Sequence, residues 1–339
     1  MIDPLRSFMS HQLKHFKLAQ KTSGFTLIEL LVAMIMAVLI IGPLMGFMIN
    51  TLNTDRKEQA KAASEQEIQS TVDYIAQDLQ QAVYIYDADG LNNKSNGSTP
   101  GIQDQIPPLA SAPGCGSTTT TCVPVLVFWK REVVKKVIPV SISSNCTSNP
   151  SNCSDAFVYS LVAYYLIQGN GIDGNWSNTA RIGRFEIQDG VVNPTNQTNP
   201  NGSTNYIQTP DSGFKLFDLT VAGQGLKQKM DAWQNNGQPY TNTNKVSTLV
   251  DYIDQSSIDK NTQINLQANC PAPQLITANL IAGFYVCVDS SKTLAQIYLR
   301  GNSLARIQSV ATSTYSPSQS IYFPTASIQI KGRGFLSSN

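Results

Sequence analysis

Residues 21–49 read KTSGFTLIELLVAMIMAVLIIGPLMGFMI, and the organisation of the chain turns on them. From Phe25 to Ile49 the one charged residue is Glu29. At about 1.5 Å per residue, a helix over this stretch reaches about 37 Å. A bilayer hydrocarbon core is about 30 Å thick, so the stretch is long enough to span. Arg6, Lys14, Lys17 and Lys21 precede it, against Asp3 alone. That basic flank places residues 1–24 in the cytoplasm and the chain after Asn50 outside. A cleaved secretory signal is the rival reading, and it needs a small-x-small site after the apolar run. The residues that follow, NTLNTD from Asn50 to Asp55, offer none, and no cysteine follows to carry a lipid. An uncleaved single-pass anchor is the plainer alternative. A carboxylate in an apolar helix costs up to roughly 2.5–3.5 kcal/mol at the bilayer centre and less near an end. Glu29 therefore marks a function and calls for a partner.

The 339 residues carry a formal charge of +1 and 41% apolar residues, enough for a sizeable core. Charged residues make up 14%, against about 25% in an average soluble domain. Without a Lys/Arg surplus, nucleic acid is not the expected partner. Both histidines, His11 and His15, precede Gly24, so the remainder has no imidazole for base or metal chemistry. The six cysteines are Cys115, Cys122, Cys146, Cys153, Cys270 and Cys287. An even count outside the membrane reads as disulfides, with fifteen pairings open. The sequential set, which closes only local loops, is the expectation. Zinc is the rival, without CxxC spacing or histidines to support it.

Beyond the apolar run, Ile68, Val72, Ile75, Leu79 and Val83 recur at steps of four, three, four and four. That is the stripe of an amphipathic helix over residues 51–83, expected to pack on the protein's own sheet. Residues 25–83 then form one long helix. Residues 87–122 are rich in Gly, Pro, Asn, Ser and Thr and read as loop. Residues 123–130 (VPVLVFWK) and 133–142 (VVKKVIPVSI) are predicted to form one hairpin, and residues 157–168 and 180–188 another. Further strands are predicted at 214–221, 282–288, 295–299 and 321–330, and short helices at 226–233 and 245–253. The expected class is α+β: a long N-terminal helix on a loop-rich, mainly antiparallel β domain.

A search for chemistry returns weak patterns. Residues 169–174 (GNGIDG) match GxGxxG, but the following NWSNT is a poor helix start, and a hairpin connection is preferred. Ser257-Ile-Asp-Lys260 matches SxxK without the companion motifs. Asp87, Asp89, Asn92 and Asn93 hold calcium-type oxygens without EF-hand spacing. Trp129, Trp176 and Trp233 are candidates for stacking on sugars or a partner, with core packing as the plain reading. Glu132 and Glu186 are the glutamates beyond the helix, and nothing in the sequence pairs them for glycoside hydrolysis.

Lys21-Thr-Ser-Gly24 followed by Phe25-Thr-Leu-Ile-Glu29 and the apolar run resembles the processing site of type IV prepilins and pseudopilins. The resemblance implies a leader, residues 1–24, removed by a prepilin peptidase between Gly24 and Phe25, with N-methylation of Phe25. It also implies that Glu29 neutralises the α-amino group of a neighbouring subunit. A buried ammonium and a buried carboxylate are each costly alone and tolerable together. Residues 25–49 become the transmembrane and assembly helix, 50–86 its amphipathic continuation, and 87–339 an extracytoplasmic, disulfide-containing β-rich domain in a pilin-like fold. Pro43, flanked by Gly42 and Gly46, removes an N–H and crowds the carbonyl of Leu39. It marks either a segment that loosens in a filament, as in related pilins, or an ordinary kink.

The length looks more like that of large minor pseudopilins at or near filament tips. Residues 76–82 (AQDLQQA), 164–191 and 249–253 (LVDYI) are similar to the cyanobacterial hormogonium polysaccharide secretion pseudopilins. That resemblance implies a non-enzymatic subunit of a type IV pilus-like or type II secretion-like filament, supporting polysaccharide secretion and gliding. It implies a single-pass inner-membrane protein with its C-terminal domain outside, later in a filament in the periplasm or at the cell surface. Its partners would be the prepilin peptidase, other pilins or pseudopilins, the inner-membrane assembly platform and membrane lipid, with no cofactor, metal or nucleic acid. The alternatives are a minor type IV pilin acting at a filament tip as an adhesin or polysaccharide-binding module, and a membrane-tethered enzyme.

Overall fold

The computed structural model describes residues 24–92, 101–107, 115, 121–141, 146–168, 176–220, 225–241, 245–258, 270–271, 274–308, 314–334 and 336. The leader up to Ser23, with His11 and His15, and the GxGxxG segment lie outside them, as do Asn93 and Lys260. The chain divides into two compact units, residues 1–55 and 56–339. In the first, every residue from Gly24 to Asp55 is exposed. Its apolar side chains therefore need lipid or other subunits to cover them.

Helix α1 covers Leu27–Gln80 and is assigned as helical through Pro43. In the second unit it buries Ile68, Val72, Ile75 and Leu79, each 3% exposed or less. The helix ends before the last member of the predicted stripe: Val83 lies in strand β1, Ala82–Ile85, not in the helix. The predicted helical continuation to residue 83 or 86 is thus corrected: the β-branched and aromatic run Val83-Tyr-Ile-Tyr86 suits a pleated strand better than another helical turn. The freed carbonyl of Gln80 accepts from Arg333 N at 3.0 Å, and that of Ala82 from Gly334 N at 3.1 Å. A Cβ on Gly334 would lie 2.7 Å from Gln81 O and 2.9 Å from Ala82 O, so this close approach requires glycine.

After a short helix α2 (Ala88–Asn92) come β2 (Thr121–Pro139), β3 (Cys153–Gln168), β4 (Ala180–Gln188), β5 (Val191–Val192), β6 (Tyr206–Gln208), helix α3 (Leu226–Asp231) and β7 (Ser247–Ile253). Strands β8 (Leu275–Thr277), β9 (Phe284–Asp289) and β10 (Leu294–Arg300), helix α4 (Leu304–Gln308) and β11 (Thr325–Lys331) complete the order. One antiparallel sheet runs β1-β2-β3-β4-β7, a second runs β11-β10-β9-β8, and β5-β6 form a ribbon. The fold is α+β, with the pilin-like arrangement of a long N-terminal helix followed by antiparallel sheets.

The hairpin predicted within residues 123–142 is absent. Thr121–Pro139 form one strand, β2, paired with β3 from Thr121↔Gln168 to Pro139↔Cys153. The charged stretch Lys130-Arg-Glu132 resembles a turn, yet Lys130 is only 4% exposed. Its ammonium lies 3.2 Å from Asp78 of α1, 3.0 Å from Glu132 and 2.6 Å from Glu186 of β4. Arg184 adds Nε to Asp78 at 2.8 Å and Nη1 to Glu186 at 2.7 Å. Tyr164 Oη donates to Asp78 at 2.7 Å. The predicted β3–β4 hairpin is present as an antiparallel pair.

Residues 245–253 are predicted to be a short helix. They hold β7 instead. The β4–β7 register shifts twice and Tyr252 takes a φ of 58°. This irregularity lets Val250 and Ile253 both point inward at a three-residue spacing, which imitates a helical period. Residues 214–220 form no strand; their aromatics, Phe214 and Phe217, pack edge-on against Trp129. Residues 317–322 form a 3₁₀ turn before β11, shortening the predicted strand at 321–330. Cys115–Cys122, Cys146–Cys153 and Cys270–Cys287 are disulfide-bonded, each with Cα atoms 5.8 Å apart.

Burial works against the charge on Asp78, but Arg184, Lys130 and Tyr164 outweigh it and hold its pKa below the usual carboxylate range. Burial is likewise outweighed at Glu132, by Ser160, Lys130 and Gln188, and at Lys130, whose pKa is raised by Glu186, Asp78 and Glu132. The lowered carboxylates stabilise the fold above their ordinary pKa and lose that contribution as pH falls through the folded values. Lys130→Met, which takes the shared cation from three carboxylates and leaves them to Arg184, Tyr164, Ser160 and Gln188, is expected to cost about 3–5 kcal/mol at neutral pH. In urea denaturation of the full chain in detergent, the difference from wild type should shrink below about pH 4, where carboxylates protonate. A loss that does not change with pH would show that the charges are not what Lys130 serves.

Candidate functional site

The sequence motif and the start of α1 coincide. Gly24, Phe25 and Thr26 lie outside the helix, so the Gly24–Phe25 peptide bond precedes the first turn. Thr26 is the cap. Its carbonyl accepts from Glu29 N at 3.0 Å and Leu30 N at 3.2 Å. Its Oγ1 faces Glu29 N at 3.3 Å, and the Glu29 carboxylate reaches back to Thr26 N at 3.4 Å and to Thr26 Oγ1 at 3.3 Å. This is the reciprocal Thr-x-x-Glu capping box, which satisfies two otherwise orphaned N–H donors. The Glu29 charge also sits at the positive end of the helix dipole. The carboxylate is thereby held one turn from Phe25, within the apolar run but at its edge.

Three glycines of this region meet no demand within the described fold. A Cβ on Gly24 would meet nothing within 4 Å, and the same holds for Gly42 and Gly46. Phe25 is 83% exposed.

Residues 20–45 match the family model of the prokaryotic N-terminal methylation motif. The chain fits the type IV pilin and pseudopilin superfamily. It carries a type IV pilin leader, and such a leader implies processing by prepilin peptidase and assembly with other pilins. The leader and the long apolar helix fit membrane anchoring and a filament. No curated protein and no solved structure matches the chain.

The other candidate residues fall into the framework. Trp129 and Trp233 are buried together, ring centroids 5.4 Å apart. Trp129 Nε1 donates to Tyr86 Oη at 3.1 Å, which donates to Met230 O at 2.9 Å. Trp176 is 43% exposed. Glu132 and Glu186 do come together, through Lys130, which the sequence did not show. A general acid needs a raised pKa, and Glu132 is shifted the other way. Asp87 binds Lys227 at 2.5 Å and accepts from Gly90 N at 2.8 Å. Among the described residues no group of three or more His, Cys, Asp or Glu is placed to hold a metal. The strands flanking the GxGxxG segment, β3 and β4, are antiparallel neighbours, the opposite of the parallel βαβ unit that a dinucleotide needs.

Thr26→Val keeps the shape and removes the capping hydroxyl. The expected cost is about 0.5–2 kcal/mol at the helix start. Amides of residues 27–30 should then exchange with solvent about 2- to 30-fold faster in hydrogen exchange of the micelle-embedded chain, with the β domain unaffected. Unchanged exchange would mean that the box does not hold the first turn.

Proposed function

We propose that this chain is a minor pseudopilin: a structural and assembly subunit of a type IV pilus-like or type II secretion-like filament, supporting polysaccharide secretion and gliding motility. One observation carries the reading. An apolar helix, exposed along its whole length from Gly24 to Asp55, begins with a single carboxylate fixed one turn from a cleavable Gly–Phe bond. In lipid the apolar side chains are satisfied and the carboxylate is not. In a filament both are satisfied, the helix by its neighbours and Glu29 by the freed, methylated amine of Phe25 on another subunit.

In this reading the peptidase cuts between Gly24 and Phe25 on the cytoplasmic face, and the glycine fits its active site rather than this chain's own fold. The inner-membrane assembly platform receives the subunit from the bilayer. Residues 25–49 pass from lipid to the filament core, and Pro43 with Gly42 and Gly46 supplies a stretch where backbone bonds loosen at low cost. The β domain, with its three disulfides, stands outside the cytoplasm, and the chain works as a structural part without catalysis. The polysaccharide-secretion role rests on the resemblance of residues 76–82, 164–191 and 249–253. In those stretches, Asp78, Tyr164, Arg184 and Glu186 form the ion network. A second reading, a tip pilin that binds polysaccharide, is favoured by the exposed ring of Trp176.

Glu29→Ala is expected to leave the urea midpoint of the β domain unchanged while abolishing incorporation into sheared filaments and filament-dependent export. Gly24→Val should leave uncleaved precursor, read as a first residue other than methylated phenylalanine by mass spectrometry. Normal export with Glu29→Ala would sink the filament reading.

A further inference from the structure

A groove of about 830 Å³ opens on the surface of the second unit, between α1 and the edge strand β7. Its lining includes Gln66, Ser70 and Tyr74 from the helix, Trp176, Asp251 from β7, and Arg306 from α4. A second cleft of about 460 Å³ continues it, sharing Tyr74, Thr248 and Leu249 and reaching Glu186 and Lys245. Together they make one elongated channel. Trp176 and Tyr74 are 43% and 42% exposed, whereas Trp129 and Trp233 are buried in the core. Two half-bare aromatic rings in one concave site expose apolar area that water solvates poorly.

The rings are held in place. Ser177, next to Trp176, donates its N–H and its Oγ to the two carboxylate oxygens of Asp251, each at 2.7 Å. The Arg306 guanidinium lies 4.3 Å over the Tyr252 ring and pairs with Glu67. The Arg184 guanidinium lies 5.7 Å from the Tyr74 ring. A site with fixed side chains loses little entropy when it is filled.

The lining selects the chemistry of the occupant. The lining carboxylates Glu67, Glu132, Glu186, Asp211 and Asp251 outnumber the cations Arg184, Lys245 and Arg306, and both arginines are already paired with carboxylates, so a polyanion is disfavoured. Gln66, Ser70 and Thr248 put donors and acceptors on the walls, which a purely apolar peptide would leave unsatisfied. A sugar ring presents C–H groups to the electron-rich face of an aromatic ring and hydroxyls at its rim. We propose that this channel binds a neutral oligosaccharide or polysaccharide chain, with Trp176 and Tyr74 as stacking platforms and Gln66, Ser70 and Asp251 meeting the hydroxyls. The proposal deepens the second reading above and does not need the filament reading to hold.

The test uses the full-length chain in a sugar-free detergent, with cellopentaose, maltopentaose and mannopentaose as neutral probes and an oligogalacturonate as the acidic one. Because Trp176 is the exposed indole, tryptophan emission should shift and saturate with at least one neutral probe. Calorimetry should show binding weakened at least about tenfold, or about 1.4 kcal/mol, in Trp176→Ala and also in Tyr74→Ala. Phe157→Ala, an exposed ring that does not line the channel, should bind as wild type does. Near-ultraviolet circular dichroism checks that each variant is folded. No saturable heat with any neutral probe, undiminished binding by folded Trp176→Ala, or tighter binding of the oligogalacturonate would each overturn the assignment. None of these results touches assembly, which the Glu29→Ala variant reads separately.

Discussion

The fold depends on one buried charge cluster. Asp78 on α1 is largely removed from solvent, and it is held by a lysine, an arginine and a tyrosine from three adjacent strands. Lys130, Glu132, Ser160, Tyr164, Arg184, Glu186 and Gln188 occupy one face of β2, β3 and β4, as the two-residue alternation of paired strands requires. Hydrophobic burial of Ile68, Val72, Ile75 and Leu79 favours laying the helix on this sheet, but by itself it is tolerant of small slides and rotations. A charge network with specific geometry is not, because moving the helix by one turn would take Asp78 away from Lys130, Arg184 and Tyr164 together. In a chain with so few charged residues, this concentration at the helix–sheet junction fixes register.

What could be read from sequence and what could not follow the same division between local and distant causes. The apolar run, its basic flank and the position of Glu29 are contiguous, so the anchor and the processing motif were visible directly. The helical stripe was visible too, but its end was not. The switch from Gln80 to β1 depends on β2 and on Arg333 and Gly334, far along the chain. Lys130-Arg-Glu132 looked like the tip of a hairpin because the groups that neutralise Lys130 are at positions 78 and 186. The irregular backbone at Tyr252 disguised a strand as a helix. Phe214 and Phe217 looked like strand residues because their partner, Trp129, was not in view.

The candidate sites divide likewise. The Thr26–Glu29 box spans four residues, and its pattern is printed in the sequence. The groove beside β7 draws on residues near 70, 176, 250 and 306, and only the folded chain brings them together. The sequence offers three tryptophans with no means of ranking them; exposure ranks Trp176 first.

The contacts at the end of α1 bear on how such a subunit matures. Each disulfide joins cysteines close in sequence, so each closes a local loop without waiting for distant parts of the chain. The segment Gly332-Arg333-Gly334 is different: it returns to the carbonyls of Gln80 and Ala82, synthesised some two hundred and fifty positions earlier (333 − 80 = 253). Until it arrives, the junction between rod and head stays open to water. A head of this design is closed at its neck by a segment made long after the helix it caps.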